Sequence, residues 1–389
     1  MVPSDWKVGT VEDIAQVTSG GTPSRKKDSY WAGGIPWVTT SEVKFGVITK
    51  AEQAITEEGL KNSSAKLFPK GTLLIAMYGQ GKTRGQVAKL GIEASTNQAC
   101  AALLLKSNNE VDYYFQYLIS QYENLRESAN NGGQKNLSAG IIKSMPVPIP
   151  PLPEQRKIAK ILSTWDKAIA TTEKLIAASK QQKKALMQQS LTGKKRLVNP
   201  ETGRVFEGEW EEVQLGEISY ITTGSSNRED SSLDGEFTFF DRSEDIRTSS
   251  RFLFDAEAVI VPGEGQNFIP KYFKGKFDLH QRTYAIMNFD QAVAKFIYFY
   301  IGYYSHYFLS QAVGSTVKSL RLPMFKKMPV KLPHPSEQQK IAQVLTAADQ
   351  EIEHLESKLA HFQQEKKALM QQLLTGKRRV KVDSELEEV

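Results

Sequence analysis

The heptapeptide KKALMQQ occupies residues 183–189 and again 366–372, running on as SLTGKKRL in the first copy and LLTGKRRV in the second. Two polar, helix-prone words 183 residues apart signal a duplicated architecture. Sliding the chain by 183 lays residues 151–197 on 334–380 without a gap, with 23 of 47 positions identical. PLPEQRKIAKIL then faces HPSEQQKIAQVL, and upstream KSMPVPIP faces KKMPVKLP. A slide of 204 instead aligns Trp6 with Trp210, Val11 with Leu215, Ile14 with Ile218, Val17 with Ile221 and Gly20 with Gly224. The change of offset means that the first half carries about 21 additional residues in its middle. The chain is a tandem pair, each half a globular domain followed by a helix.

The helical copies have clear ends. After the proline-rich entries IPPLPEQ and LPHPSEQ, neither proline nor glycine occurs until Gly193 and Gly376, the usual punctuation of a helix. In the second copy positions 341, 345, 348, 352, 355, 359, 362, 369 and 373 are Ile, Leu, Ala, Ile, Leu, Leu, Phe, Leu and Leu. Only Lys366 interrupts this 3-4 spacing, which predicts a coiled-coil seam. The first copy keeps the phase with fewer apolar residues: Ile158, Leu162, Trp165, Ile169, Ile176 and Leu186. Each helix of about 39 residues would be roughly 58 Å long. Antiparallel pairing within one chain would relate the halves by a pseudo-twofold axis and set the globular domains at the two ends of a rod. Two unrelated surface helices, or a homodimeric coiled coil, are the alternatives.

The globular domains read as strand-rich and irregular. IPWVTTSEV, GTLLIAMY, FTFFDR and AVIVP are candidate strands between Gly, Pro, Asn and Asp turns, with one helix per domain at 111–127 and 292–312. The predicted fold class is α+β (mixed α/β). The predicted organisation is a domain at 1–150, a helix at 151–193, a linker at 194–209, a second domain at 210–333, a helix at 334–378 and an acidic tail at 379–389.

Formal net charge is +6, and the last seven residues, DSELEEV, carry four acids, so the remainder is near +10. Excess positive charge favours a polyanionic partner. The single cysteine, Cys100, lies in the apolar run ACAALLL, reads as an inert core residue and rules out a disulfide framework. MVPSDWKVGT has no apolar core of a signal peptide, and FIYFYIGYYSHYFL is too short and too rich in tyrosine to span a membrane. These features predict a soluble cytoplasmic protein.

Catalytic signatures are weak. AMYGQGKT at 76–83 satisfies a loose phosphate-loop pattern after the apolar TLLIA, but RGQVAKLGIEAS, with glycines at 85 and 91, is a poor helix to follow it. The five histidines are scattered, so no metal site is expected. Neither a nucleophile motif nor a cofactor loop is evident. The sequence therefore predicts a binding protein with no catalytic residue. A coiled-coil scaffold with two ligand-binding domains and no DNA is one alternative; a phosphate-loop NTPase is another.

The paired helix openings, each after a Met-Pro-Val strand, the doubled KKALMQQ…LTGK endings and the Trp6 and Trp210 domain starts together resemble the specificity subunit of type I restriction–modification systems. The resemblance implies two target recognition domains, each reading half of a bipartite duplex DNA site. It implies that the conserved helices pair antiparallel and dock two methyltransferase subunits that modify adenine N6. Restriction and translocation subunits would join through those. S-adenosylmethionine, ATP and Mg2+ are then expected on the partner subunits and no cofactor on this chain. A rod of roughly 58 Å would span about 17 base pairs at 3.4 Å each. Sequence would be read by polar loop side chains, arginine or lysine to guanine and asparagine or glutamine to adenine. Candidates in the first domain are Arg25, Lys26, Lys27, Gln80, Lys82, Arg84, Gln134, Lys135 and Asn136. In the second they are Arg228, Arg242, Arg251, Gln266, Asn267, Lys271, Lys318 and Arg321. Glu154, Gln155, Glu337 and Gln338, at the helix starts, are candidates for partner docking or simple capping. The basic clusters at 194–196 and 377–379 suit either a helix dipole or phosphate.

Overall fold

The computed structural model describes residues 2–79, 81–128, 136–243 and 245–382. The chain divides into two compact units, one formed by Met1–Thr172 with Lys358–Val389 and the other by Glu173–Ser357. This division cuts through both long helices, whereas the sequence places its boundaries at the helix entries. Each unit thus holds one globular domain, the first half of the helix that follows it and the second half of the other helix.

The long helices are Leu152–Ser190 and Pro335–Leu373, 39 residues each. Along both, burial follows the heptad phase. In the second helix Ile341, Leu345, Ile352 and Leu373 are buried, and in the first Ile158, Leu162 and Ile176 are. The first seam looked thinner in sequence because Thr172 and Ser190 occupy two of its positions, and both are buried there. Gly193 and Gly376 stop the helices in the left-handed region, at φ 70° and 71°. The amides of Lys195 and Arg378 then donate back to the carbonyls of Gln189 and Gln372, both at 3.1 Å.

In the first unit Lys366 Nζ lies 2.6 Å from the Asp166 carboxylate, and Trp165 meets Phe362 edge to face at 5.6 Å. In the second unit Lys183 pairs with Asp349, and Lys180 with Glu356 at 2.7 Å. Residues 180 and 183 meet 356 and 349 in the second unit, and in the first 154 and 166 meet 379 and 366, so partner numbers fall as these numbers rise and the helix halves run antiparallel in each unit. The lysine that breaks the heptad is therefore half of a doubled device. The first lysine of each KKALMQQ reaches the aspartate that stands at the same place in the opposite repeat.

Each globular domain is closed where its chain enters and leaves. Lys7–Thr10 pairs antiparallel with Pro146–Ile149, and Glu211–Gln214 pairs antiparallel with Pro329–Leu332. The first domain contains a five-stranded sheet in the order Ala15–Ser19, Cys100–Leu105, Leu73–Ala76, Val87–Leu90, Val47–Ile48. A four-stranded sheet there runs Gln53–Ile55, Trp31–Val38, Ala94–Thr96, Leu67–Phe68. The second domain has a six-stranded sheet in the order Tyr220–Thr223, Thr283–Met287, Phe254–Pro262, Lys271–Leu279, Phe237–Phe240, Arg247–Ser249. A short ribbon, Glu264–Gly265 with Lys318–Ser319, stands beside it.

Three predicted elements are interrupted. IPWVTTSEV ends as a strand at Val38, because the Glu42 carboxylate accepts from the Thr39 amide at 2.7 Å and coils Thr40–Glu42 into a 3-10 turn. The predicted helix in each domain is two helices, Val111–Ser120 with Tyr122–Ser128, and Ala294–Tyr303 with Ser305–Gln311. The breaks fall at Gln121 and Tyr304, again 183 residues apart. Cys100 is fully buried and burial pushes its thiol up to about 12, as expected of an inert core residue.

Candidate nucleic-acid interface

The helix-start residues are occupied within the fold. Glu337, 1% exposed, accepts two hydrogen bonds from Arg196 at 2.7 Å each, and the opposing carboxylate raises the Arg196 guanidinium above its usual range. Glu154 accepts from Arg379 at 2.9 and 2.5 Å, and Arg379 also forks onto Asp5. Gln338 accepts from the Val293 amide at 2.8 Å and donates to the carbonyls of Gln291 and Pro333. Gln155 accepts from the Glu110 amide and donates to the Pro150 carbonyl, both at 2.8 Å. All four side chains are buried. The structure places Glu154, Gln155, Glu337 and Gln338 in these internal bonds. They lock the start of one helix to the end of the other and to the adjoining domain. Within the basic clusters, Arg196 and Arg379 serve these buried carboxylates. Sequence reasoning missed this pairing, although Glu154 and Arg379 are the repeat images of Glu337 and Arg196.

The first domain's candidates fall into two groups on different sheets. Arg25, Lys26 and Lys27 are exposed in the turn before Trp31–Val38, with the Arg25 guanidinium 3.7 Å from the centre of the Trp31 ring and 4.9 Å from that of Trp37. Lys82 and Arg84 lie in the connection between Leu73–Ala76 and Val87–Leu90. There the Lys82 carbonyl accepts from the Tyr122 hydroxyl at 2.5 Å. A strand antiparallel to the preceding one follows this loop, where a phosphate loop requires a helix, so the NTPase alternative is corrected. Asn136 is exposed. Gln80, Gln134 and Lys135 lie outside the described residues.

In the second domain the structure brings five candidates to one place. Arg228, Arg242, Gln266, Asn267 and Lys271 line a single open cleft of about 540 Å3 beside the ribbon. The ribbon also carries Lys318, and Arg321 is exposed just beyond it. Arg242 and Arg282 flank Glu264 at 3.6 and 2.6 Å, so the cleft's own carboxylate is compensated. Burial opposes charge on Asp241, but the Ser243 hydroxyl and amide, with Arg228, outweigh it and hold its carboxyl below the usual range. Burial lowers the neighbouring His280 imidazole, favouring the neutral ring; Asp241 opposes this shift and Arg282 and Arg242 reinforce it. Lys271 Nζ donates to the Ser243 carbonyl at 2.6 Å. Arg251 stands apart: it donates to Ser226 Oγ at 2.9 Å and lies 3.8 Å from the buried Asp278, an internal duty. Among the described residues no group of His, Cys, Asp and Glu side chains could hold a metal ion, and no helix is long and apolar enough to cross a membrane.

The model of the type I restriction modification DNA specificity domain matches residues 3–181 and 207–361. The MjaVIII specificity subunit of Methanocaldococcus jannaschii is 26% identical, over 98% of this chain and 94% of that protein. The MjaIX specificity subunit of the same organism is 29% identical over 58% of this chain and 54% of its own length. Among solved structures, the S subunit of a type I restriction–modification system from M. genitalium superposes with a TM-score of 0.67 at 15% identity, covering 96% of each chain. A chain from a study of complex assembly and conformational transition of the type I R-M system gives 0.58 at 16% identity, covering 97% of this chain and all of that one.

Proposed function

This chain belongs to the family of type I restriction modification DNA specificity domains, and from that premise we propose that each of its globular domains reads one half of a bipartite duplex DNA site. The observation that supports the reading is the cleft of the second domain, where Arg228, Arg242, Gln266 and Asn267 gather. These are the side chains that meet guanine and adenine edges in the major groove. In this reading the chain contributes recognition and no chemistry. Methylation at adenine N6 belongs to docked methyltransferase subunits carrying S-adenosylmethionine, and ATP-driven steps with Mg2+ to restriction subunits bound through them. In this reading the docking surface is on exposed faces of the long helices, which the burial of Glu154, Gln155, Glu337 and Gln338 supports.

The test is binding of the full chain, assembled with its methyltransferase subunit, to duplex DNA as salt is varied. The expected log–log slope is several units negative, with a common bipartite sequence among the bound duplexes. Salt-independent binding, or none, would leave the scaffold alternative standing.

A further inference from the structure

The second domain's cleft contains more than charge. Ile269 is 56% exposed and Val317 46%, although both belong to a domain with ample core. Both side chains line the cleft that holds Gln266 and Asn267. Local structure holds them there. Phe268 and Pro270 are buried on either side of Ile269, which fixes its side chain outward. Val317 lies in the turn closed by the Val313–Ser319 bridge, where Gly314 has φ 114° and a Cβ there would stand 2.3 Å from the Val317 carbonyl. The Gln266 amide is tied across to the Thr316 carbonyl at 3.4 Å, which joins the two sides of the cleft. Among the described residues no partner engages the Asn267 amide. Two apolar side chains and an unengaged amide, in a cleft beside a two-stranded ribbon and lined by arginines, match one particular pattern in the major groove. Only an A·T pair presents an adenine N6–N7 edge and a thymine methyl group together there.

We infer that this cleft reads an A·T pair, with Asn267 bonding to adenine and Ile269 and Val317 covering the thymine 5-methyl group. The inference rests on the reading of the chain as a DNA specificity subunit. Arg228 and Arg242 then reach flanking guanine or phosphate.

Deoxyuridine differs from thymidine only by that methyl group, which makes it the probe. Bound duplexes are selected with the full chain assembled with its methyltransferase subunit, and each thymine of the recovered sequence is replaced by deoxyuridine in turn. At one or more positions, binding is expected to weaken about fourfold, the scale of one buried methyl group. In the double variant Ile269→Ala, Val317→Ala that difference is expected to vanish, while the remaining bases of the same half-site are still recovered, which shows that the second domain is folded. If thymine and uracil bind alike at every position, or the variant keeps the discrimination, the inference is overturned while the specificity reading survives. Failure to recover any common sequence would overturn both.

Discussion

Arg196 and Arg379 show how a residue's surroundings decide its meaning. In sequence they are the ends of basic clusters; in the fold each caps a buried carboxylate of the antiparallel partner helix, and each guanidinium also lies 5.9 Å from a tryptophan ring, Trp210 or Trp6. Removing one member leaves a charge without compensation in a site that water barely reaches. Arg196→Ala is expected to destabilise by about 3–5 kcal/mol, measured by urea denaturation. Replacing both partners, Arg196→Met with Glu337→Leu, should recover most of that loss. A single variant as stable as the parent would show that Glu337 is protonated or hydrated in the fold. The acidic partner was readable as a helix-start residue, but not its bond, because 141 residues separate it from Arg196.

At the scale of the element, the long helices were almost fully legible. Their ends, length and buried phase follow from proline, glycine and the 3-4 spacing. The charges on them add direction. The first helix carries eight basic and three acidic residues and the second four and six, so each is better matched to the other than to its own copy. Lys366, 12% exposed in the seam, is a polar residue at a core position, a common device for fixing register at some cost in stability. Lys366→Leu is accordingly expected to leave thermal stability unchanged or raised by about 1 kcal/mol, since Asp166 remains 43% exposed and can be solvated. The same variant is expected to show more self-associated species by size-exclusion chromatography, as alignments other than the native one become acceptable. A marked loss of stability would mean that the ion pair holds the helices together and does not merely align them.

For the whole molecule, duplication explains both what is alike and what differs. The helices retain 23 of 47 positions across the repeat, whereas the domains diverge. In the proposed reading, the common helices serve a common partner and the different domains read different DNA sequences. Exchange of residues 1–150 for those of another family member is therefore expected to change one half-site of the N6-methyladenine motif mapped in the host genome and leave the other intact. A change in both, or in neither, would contradict separate reading.

The sequence by itself left antiparallel pairing beside two alternatives but determined the repeat, the two helices with their heptad seam, and the resemblance to the family. These are carried by local periodicity and by comparison of the chain with itself, neither of which requires knowledge of distant contacts. Only the tertiary structure decided which polar residues gather in an open cleft. Glu337 is buried against Arg196, and Arg251 donates to Ser226 beside the buried Asp278, while Arg242 and Asn267 line an open cleft together with Ile269 and Val317. An arginine has the same letter whether it compensates a buried carboxylate or meets a base, and an isoleucine in sequence reads as core. The difference lies in what the folded chain brings within a few ångströms of each, and for Ile269 and Val317 it was a turn closed 48 residues away that set them side by side.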